Sequence, residues 1–289
     1  MKKEKKENRF STFLLLISLA IGLSLLLYPT VSDYWNSLVQ SKAVATYAEA
    51  VSNMDETQYD AIIKSAQEYN RELLKHPWGY GIPKELSNRY TKELAVDESG
   101  IMGIVEIPSI GVNLPVYHGT GDEVLQVAIG HLNWSSLPVG GPSTHCVISG
   151  HRGLPSAKLF TNVDQLREGD TFLLRVLNEI LTYEIDTIAV VEPGDTSSLK
   201  IAKDKDLCTL VTCTPYGVNS HRLLITGHRV DTVEDAKSVR VIADAMLVEP
   251  LLVAPAIAVP ILLIIVIVLL IPRKGKKKKE KEKEGEHFE

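Results

Sequence analysis

The stretch Leu207–Val230, LCTLVTCTPYGVNSHRLLITGHRV, contains two runs rich in Leu, Val, Ile and Thr on either side of a segment carrying Pro, Gly and Asn. Such runs read as strands joined by a turn. Pro215 cannot donate to a ladder and ends the first strand. Strand residues alternate faces, so Cys213 shares a side with Val211 and Thr209, while Cys208 faces the other way. Those two cysteines cannot form a disulfide within one regular strand. Thr214 to His221 is an eight-residue connection, and Arg222 opens the second run. An antiparallel hairpin would set Cys213 and Arg222 close together across it. A guanidinium in that place can donate to a substrate carbonyl, or to the oxyanion formed when a thiolate attacks it.

Upstream, the same character recurs in IMGIVEI from Ile101, LPVYHG from Leu114, THCVISG from Thr144, TFLLRVL from Thr171 and ILTYEIDTIAVV from Ile180. About eight strands at short intervals indicate an all-β barrel or sandwich. Asn178-Glu179 reads as a tight hairpin turn. Before Gly100 the pattern is helical. In TQYDAIIKSAQEYNRELLK, Ile62, Ala66, Tyr69 and Leu73 fall on one face, which predicts the second of two helices between the first apolar run and Lys75. Asp55, with Gln58 three residues on, resembles the capping box that would start it. His76 to Pro83 is rich in Pro and Gly and reads as a loop with two aromatics. No internal repeat, zinc-ligand spacing or phosphate loop is visible, so no cofactor is expected.

Two stretches depart from globular composition. Phe10–Tyr28 and Leu247–Pro272 are each apolar over a length near the roughly 20 residues that a bilayer-crossing helix needs. Pro255 and Pro260 would kink the second, which a membrane helix tolerates. A basic start before an apolar run fits both a cleaved leader and a retained anchor. The nearest Ala-x-Ala patterns, at Ala43–Ala45 and Ala48–Ala50, lie well past the run and favour the anchor. Lys2, Lys3, Lys5, Lys6 and Arg9 precede the first stretch, and Arg273 with a lysine run follows the second, so the positive-inside rule puts both termini in the cytoplasm and the rest outside. That outer part carries about −11 by formal count, which argues against nucleic acid as a partner.

Three cysteines are too few, and odd in number, for a disulfide framework, so at least one is a free thiol. A thiol needs a base or a cationic neighbour to act as a nucleophile near neutral pH. His151 follows the run that ends at Gly150, and the glycines at 150 and 153 let the backbone carry an imidazole into a cleft. Cys213, His151 and Arg222 form a sufficient set for acyl transfer. From the residues alone, a cysteine at a strand end is also the ordinary profile of a small buried side chain, and Cys146 and Cys208 read that way. His118, His131, His145, His221 and His228 read as satisfied or surface histidines, and Arg152 and Arg229 as surface charges.

The segment TLVTCTPYGVNSHRLLITGHR resembles the signature of sortases, which carry TLxTC at the nucleophile and an arginine several residues later. SGHRG resembles their histidine motif, and PVGGPSTHCVISGHRGLPSAKLFTNVDQLREGDTF is similar to class C, the pilin-polymerising members. The likeness runs from about Gly100 to Asp231. It implies an eight-stranded sortase-type β-barrel with an N-terminal helical extension and a lid loop, flanked by two transmembrane helices. It implies Cys213 as nucleophile, His151 as its partner and Arg222 as the substrate-positioning arginine. The substrates implied are LPxTG-like sorting signals, cut between Thr and Gly through a thioester. A pilin lysine then takes the acyl group, or a peptidoglycan precursor in a housekeeping enzyme. Class C members cover the nucleophile with a lid carrying an Asp-Pro-aromatic motif. Here the corresponding residues are His76, Pro77 and Trp78, without the acidic residue.

The expected organisation is therefore a basic tail at 1–9, a span at 10–28, a helical extension at 29–75, a lid loop and linker at 76–99, a catalytic barrel at 100–232, a linker at 233–246, a second span at 247–272 and a cytoplasmic Lys/Glu tail at 273–289. A papain-like protease is a poorer fit, because that fold places its cysteine at a helix start. A silent membrane receptor or scaffold with a β-barrel outside is the rival from another class.

Overall fold

The computed structural model describes residues 2–76 and 81–232. The expected second span, its flanking linker and tail, and Pro77 and Trp78 lie outside the described residues. By its contacts the chain divides into two units, one holding Met1–Leu27 and the other Tyr28–Ala245. In the first, the described residues form the opening part of α1 (Lys2–Ser52), whose apolar stretch is long enough to cross a membrane and is unburied.

α1 is unbroken from Lys2 to Ser52 and passes through Pro29, so the expected boundary at residue 28 falls inside one helix. The remainder of α1, with α2 (Glu56–Leu73), supplies the two helices expected before Lys75. Asp55 caps α2 as predicted: its carboxylate accepts from the Gln58 amide at 2.8 Å, and the Gln58 side chain accepts from the Asp55 amide at 3.2 Å. Ala66, Tyr69 and Leu73 are buried, as the 3.6-residue period requires.

These helices join the barrel through specific polar contacts as well as apolar ones. Tyr47 on α1 accepts from the Leu177 amide at 2.9 Å, and burial pushes its phenol up to about 12. Asn70 on α2 behaves like a piece of strand backbone, donating to the Leu137 carbonyl at 3.0 Å and accepting from the Leu137 amide at 2.7 Å. A short helix not foreseen, α3 (Lys84–Tyr90), follows Pro83 inside the segment expected to be lid and linker. Arg89 ties it back to Glu72 at 2.8 Å, and the Tyr90 hydroxyl donates to the His131 carbonyl at 3.0 Å.

Among the described residues, eight strands close into a barrel: β1 (Ile101–Ile107), β2 (Val112–His118), β3 (Ile129–His131), β4 (Thr144–Ser149), β5 (Thr171–Val176), β6 (Glu179–Val191), β7 (Asp206–Thr214) and β8 (His221–Val230). Their order around the barrel is β1-β2-β3-β4-β7-β8-β6-β5. Closure removes the exposed edges that an open sheet would present. Two pairings are parallel, β2 with β3 across the short helix α4 (Asp122–Leu125), and β4 with β7. The β5–β6 turn consists of Leu177 and Asn178, one residue earlier than expected, because Val176 pairs with Glu179 and Leu177 takes the left-handed conformation.

Alternation along β4 and β7 sorts their side chains. Cys146, Ile148, Cys208 and Leu210 belong to the large core, with Phe160 and Phe172. Val147 and Val211 point the other way, into a smaller apolar cluster with Leu199 and Leu224, against which Leu132 and Trp134 pack. Cys213 continues the second series.

Candidate active site

The ends of three adjacent strands set the geometry. On β7 and β8, Cys213 stands directly opposite Arg222, the juxtaposition that the hairpin reading requires. The strands extend to Thr214 and from His221, so the loop proper is Pro215–Ser220. On the other flank β4 runs parallel to β7, with its last paired residue Ser149 beside Val211. His151 and Cys213 each lie two positions beyond that pair.

The approach of β4 is close. The Gly150 amide donates to the Val211 carbonyl at 3.1 Å, and the Thr212 hydroxyl, 2 % exposed, donates to the Gly150 carbonyl at 2.7 Å. A Cβ at residue 150 would come within 2.7 Å of both Ile129 Cγ2 and Phe160 Cδ2. Glycine is therefore required there by space. The His151 carbonyl accepts from the Phe160 amide at 3.1 Å, which fixes the backbone that carries the imidazole.

Cys213, His151 and Arg222 are all half-buried. Arg222 Nη1 donates to the carbonyls of Asn219 at 3.3 Å and His221 at 3.1 Å. Both bonds leave from one nitrogen of a five-donor group, which leaves Nε and Nη2 for a ligand carbonyl.

The other cysteines are elsewhere. Cys146 and Cys208 face one another across β4 and β7 and are buried. For Cys146, burial opposes ionisation, but hydrogen bonds with Cys208 and His131 outweigh it and draw the thiol below its ordinary range. Burial, and then the Cys146 thiol beside it, pushes Cys208 well up. Neither is accessible to a peptide.

The remaining histidines divide as read. His131 is buried between Tyr90 and the Ser136 carbonyl, His118 bonds the carbonyls of Gly100 and Glu93, and His221 is exposed. Two arginines do not behave as surface charges. Arg152 has a side chain only 9 % exposed, and Arg229 lies over the Tyr183 ring with a buried Nη1. Of the expected lid, His76 is described and exposed. No group of three or more His, Cys, Asp or Glu gathers closely enough for a metal among the described residues.

The sortase domain family matches residues 105–230. A crystal structure of sortase C1 from Streptococcus agalactiae is 48 % identical, with a TM-score of 0.65 over 66 % of this chain and all of that one. The chain belongs to the sortase family. Clostridium perfringens sortase C, solved with a C-terminal cell wall sorting motif, is 40 % identical at a TM-score of 0.59, covering 66 % of this chain and 99 % of its own. Among curated relatives, Sortase D of Bacillus subtilis is 34 % identical over 131 residues, or 44 % of this chain and 63 % of that protein. The curated sortases matched are each covered over less than two thirds of their length. The barrel and the class C likeness expected from the motifs are thus both found.

Sequence reading passed over Thr212 and took Arg152 for a surface charge, and both side chains of this sortase lie beside the site. Thr212 sits in the TLVTC run and carries no sign that its hydroxyl would turn back onto the histidine segment. Arg152 was visible as the neighbour of His151 in SGHRG, and a charge inside a glycine-flanked motif was the available signal.

Proposed function

We propose that this chain is a class C-like sortase, a cysteine transpeptidase that joins surface proteins through LPxTG-like sorting signals. The observation carrying the proposal is the placement of Cys213 opposite Arg222, with His151 two residues past the parallel β4–β7 register. In this reading the Cys213 thiolate attacks the carbonyl carbon of the signal's Thr–Gly bond. The Arg222 fork donates to the oxygen as it gains charge. The C–N bond then breaks, His151 passes a proton to the leaving glycine amine, and the acyl group stays on sulfur as a thioester. An incoming amine, in a class C enzyme a pilin lysine, attacks that thioester. His151 accepts its proton, the new amide forms, and the C–S bond breaks to return the thiolate.

The layout proposed around this chemistry keeps the catalytic barrel at 100–232 outside the cell. The apolar part of α1 at 10–28 serves as an anchor, and the second span lies at 247–272 with both termini cytoplasmic. The anchor is supported by the length and hydropathy of the apolar stretch in α1. Trp78, with His76 and Pro77, forms a lid over Cys213 in the same reading.

The test uses the detergent-solubilised full chain with an LPxTG peptide and a lysine-bearing pilin segment, followed by mass spectrometry. Expected are a Cys213-linked acyl adduct and an isopeptide product. Transfer only to a peptidoglycan-type amine would move the assignment to a wall-anchoring sortase, and no adduct at all would overturn the transpeptidase reading.

A further inference from the structure

Arg152 immediately follows His151, yet its side chain turns away from solvent and toward the strand that carries the nucleophile. Nη1 donates to the Thr214 hydroxyl at 3.3 Å, and Nη2 is ion-paired with Asp164. The guanidinium carbon lies 5.8 Å from the centre of the Tyr216 ring, two residues beyond Thr214. Gly153 takes the left-handed conformation at φ +73, and a Cβ there would stand 3.1 Å from that same ring, so Tyr216 lies against the backbone of the histidine segment. The Gly153 amide is held in turn by the Thr161 hydroxyl at 3.2 Å.

Together with Thr212 these contacts make a bracket. The residue before His151 is bonded to the residue before Cys213, through Gly150 and Thr212, and the residue after His151 is bonded to the residue after Cys213, through Arg152 and Thr214. Among the described residues the Arg152 Nε is buried without a partner. A buried donor left unmade opposes folding, which is a poor feature in a purely structural arginine. Its planar fork does what a lysine cannot, bonding Thr214 and Asp164 at once while its charge sits over the Tyr216 ring.

We propose that Arg152 is a positioning residue of the transpeptidase, fixing the separation of the His151 imidazole and the Cys213 sulfur through Thr214, with Asp164 holding the guanidinium in place. The proposal rests on the reading of Cys213 and His151 given above. Misplacing a reacting group by about 1 Å can cost on the order of 100-fold in rate.

The experiment measures kcat and KM for thioester formation and transfer by the full chain in detergent, for wild type, Arg152→Lys, Asp164→Asn, Thr214→Val and the Arg152→Lys/Thr214→Val double variant, alongside thermal melts. Expected for Arg152→Lys is a fall in kcat of about 10- to 100-fold with KM within about 2-fold, and no rescue by the retained charge. Asp164→Asn should fall in the same direction by less. The double variant should be no worse than the poorer single one, since both remove one bond. Normal kcat in Arg152→Lys, or losses that multiply in the double variant, would overturn the role. So would activity that falls only in proportion to the folded fraction. A wild type that forms no adduct would instead remove the function on which the role depends.

Discussion

Substituting alanine at Gly150 tests whether close packing under the histidine segment is what aims it. Residue 150 does not require the left-handed region, so the substitution costs nothing in backbone conformation and its effect is steric. The added methyl would meet Ile129 Cγ2 and Phe160 Cδ2 at 2.7 Å and Phe160 Cγ at 3.0 Å. Neither neighbour can swing into solvent, since both are fully buried. Relief must come from the segment itself, which shifts off Ile129 and Phe160, disturbing the Thr212–Gly150 bond and carrying His151 with it. Overpacking by a methyl costs about 1 to 3 kcal/mol. At about 2 to 4 °C per kcal/mol for a domain of this size, the melting temperature should fall by about 2 to 12 °C. Turnover should fall by more than the loss of folded enzyme accounts for. The companion variant Phe160→Leu makes room, so the double variant should recover part of both losses, and a thermal melt paired with the thioester assay reads the coupling. An unchanged melting temperature and normal turnover in Gly150→Ala would refute the packing argument.

Other expectations are more direct. Cys213→Ala should abolish the acyl adduct, whereas Cys146→Ala and Cys208→Ala should retain it, as intact-mass spectra will show. Arg222→Lys keeps the charge but loses the fork, and should lose about 100- to 1000-fold in turnover, the usual cost of removing one oxyanion donor; near-normal turnover would take Arg222 out of the mechanism. His145 sits with Nδ1–H donating to the Lys200 carbonyl at 3.0 Å and Nε2 accepting from Thr209 at 2.7 Å, and burial lowers its pKa below the ordinary value of 6.5. The unfolded chain therefore binds the proton more readily, so stability should fall as pH drops below about 6.5 and keep falling until the folded histidine titrates. In melts between pH 7.5 and 5, His145→Gln should be less stable overall but show a flatter acid slope.

Local rules carried the sequence reading as far as they reach. Cys213 and Arg222 are neighbours through one hairpin, and alternation plus Pro215 was enough to pair them. The α2 face and its cap were legible for the same reason, since period and capping act over a few residues. β3 was not legible because three residues, Ile129-Gly130-His131, are too short for alternation to register. α3 was hidden by the Pro- and Gly-rich segment before it, and the continuity of α1 by the change from apolar to polar composition after Tyr28. His151 could be joined to Cys213 only through the family resemblance. Nothing local in THCVISG or LCTLVTC states that these runs pair, still less that they pair in parallel across more than fifty intervening residues.

That parallel pairing makes the site a property of register. In an antiparallel pair the two chains run toward opposite ends, so equal offsets past a shared pair carry their residues apart. In β4 and β7 both chains advance the same way, so equal offsets past Ser149 and Val211 bring His151 and Cys213 to the same end of the barrel. A slip of one residue in either strand would turn one side chain to the opposite face. Each strand carries its own safeguard against that slip. Cys146 and Ile148, with Cys208 and Leu210, fill the barrel interior, while Val147 and Val211 fill the outer cluster, so a slipped strand would expose one set and crowd the other. The cysteines that take no part in the proposed chemistry thus help to hold in place the one that does. The Thr212 and Arg152 contacts act beyond the last ladder pair, where the hydrophobic alternation no longer specifies anything, and there side-chain hydrogen bonds take over the task of holding the two chains in step.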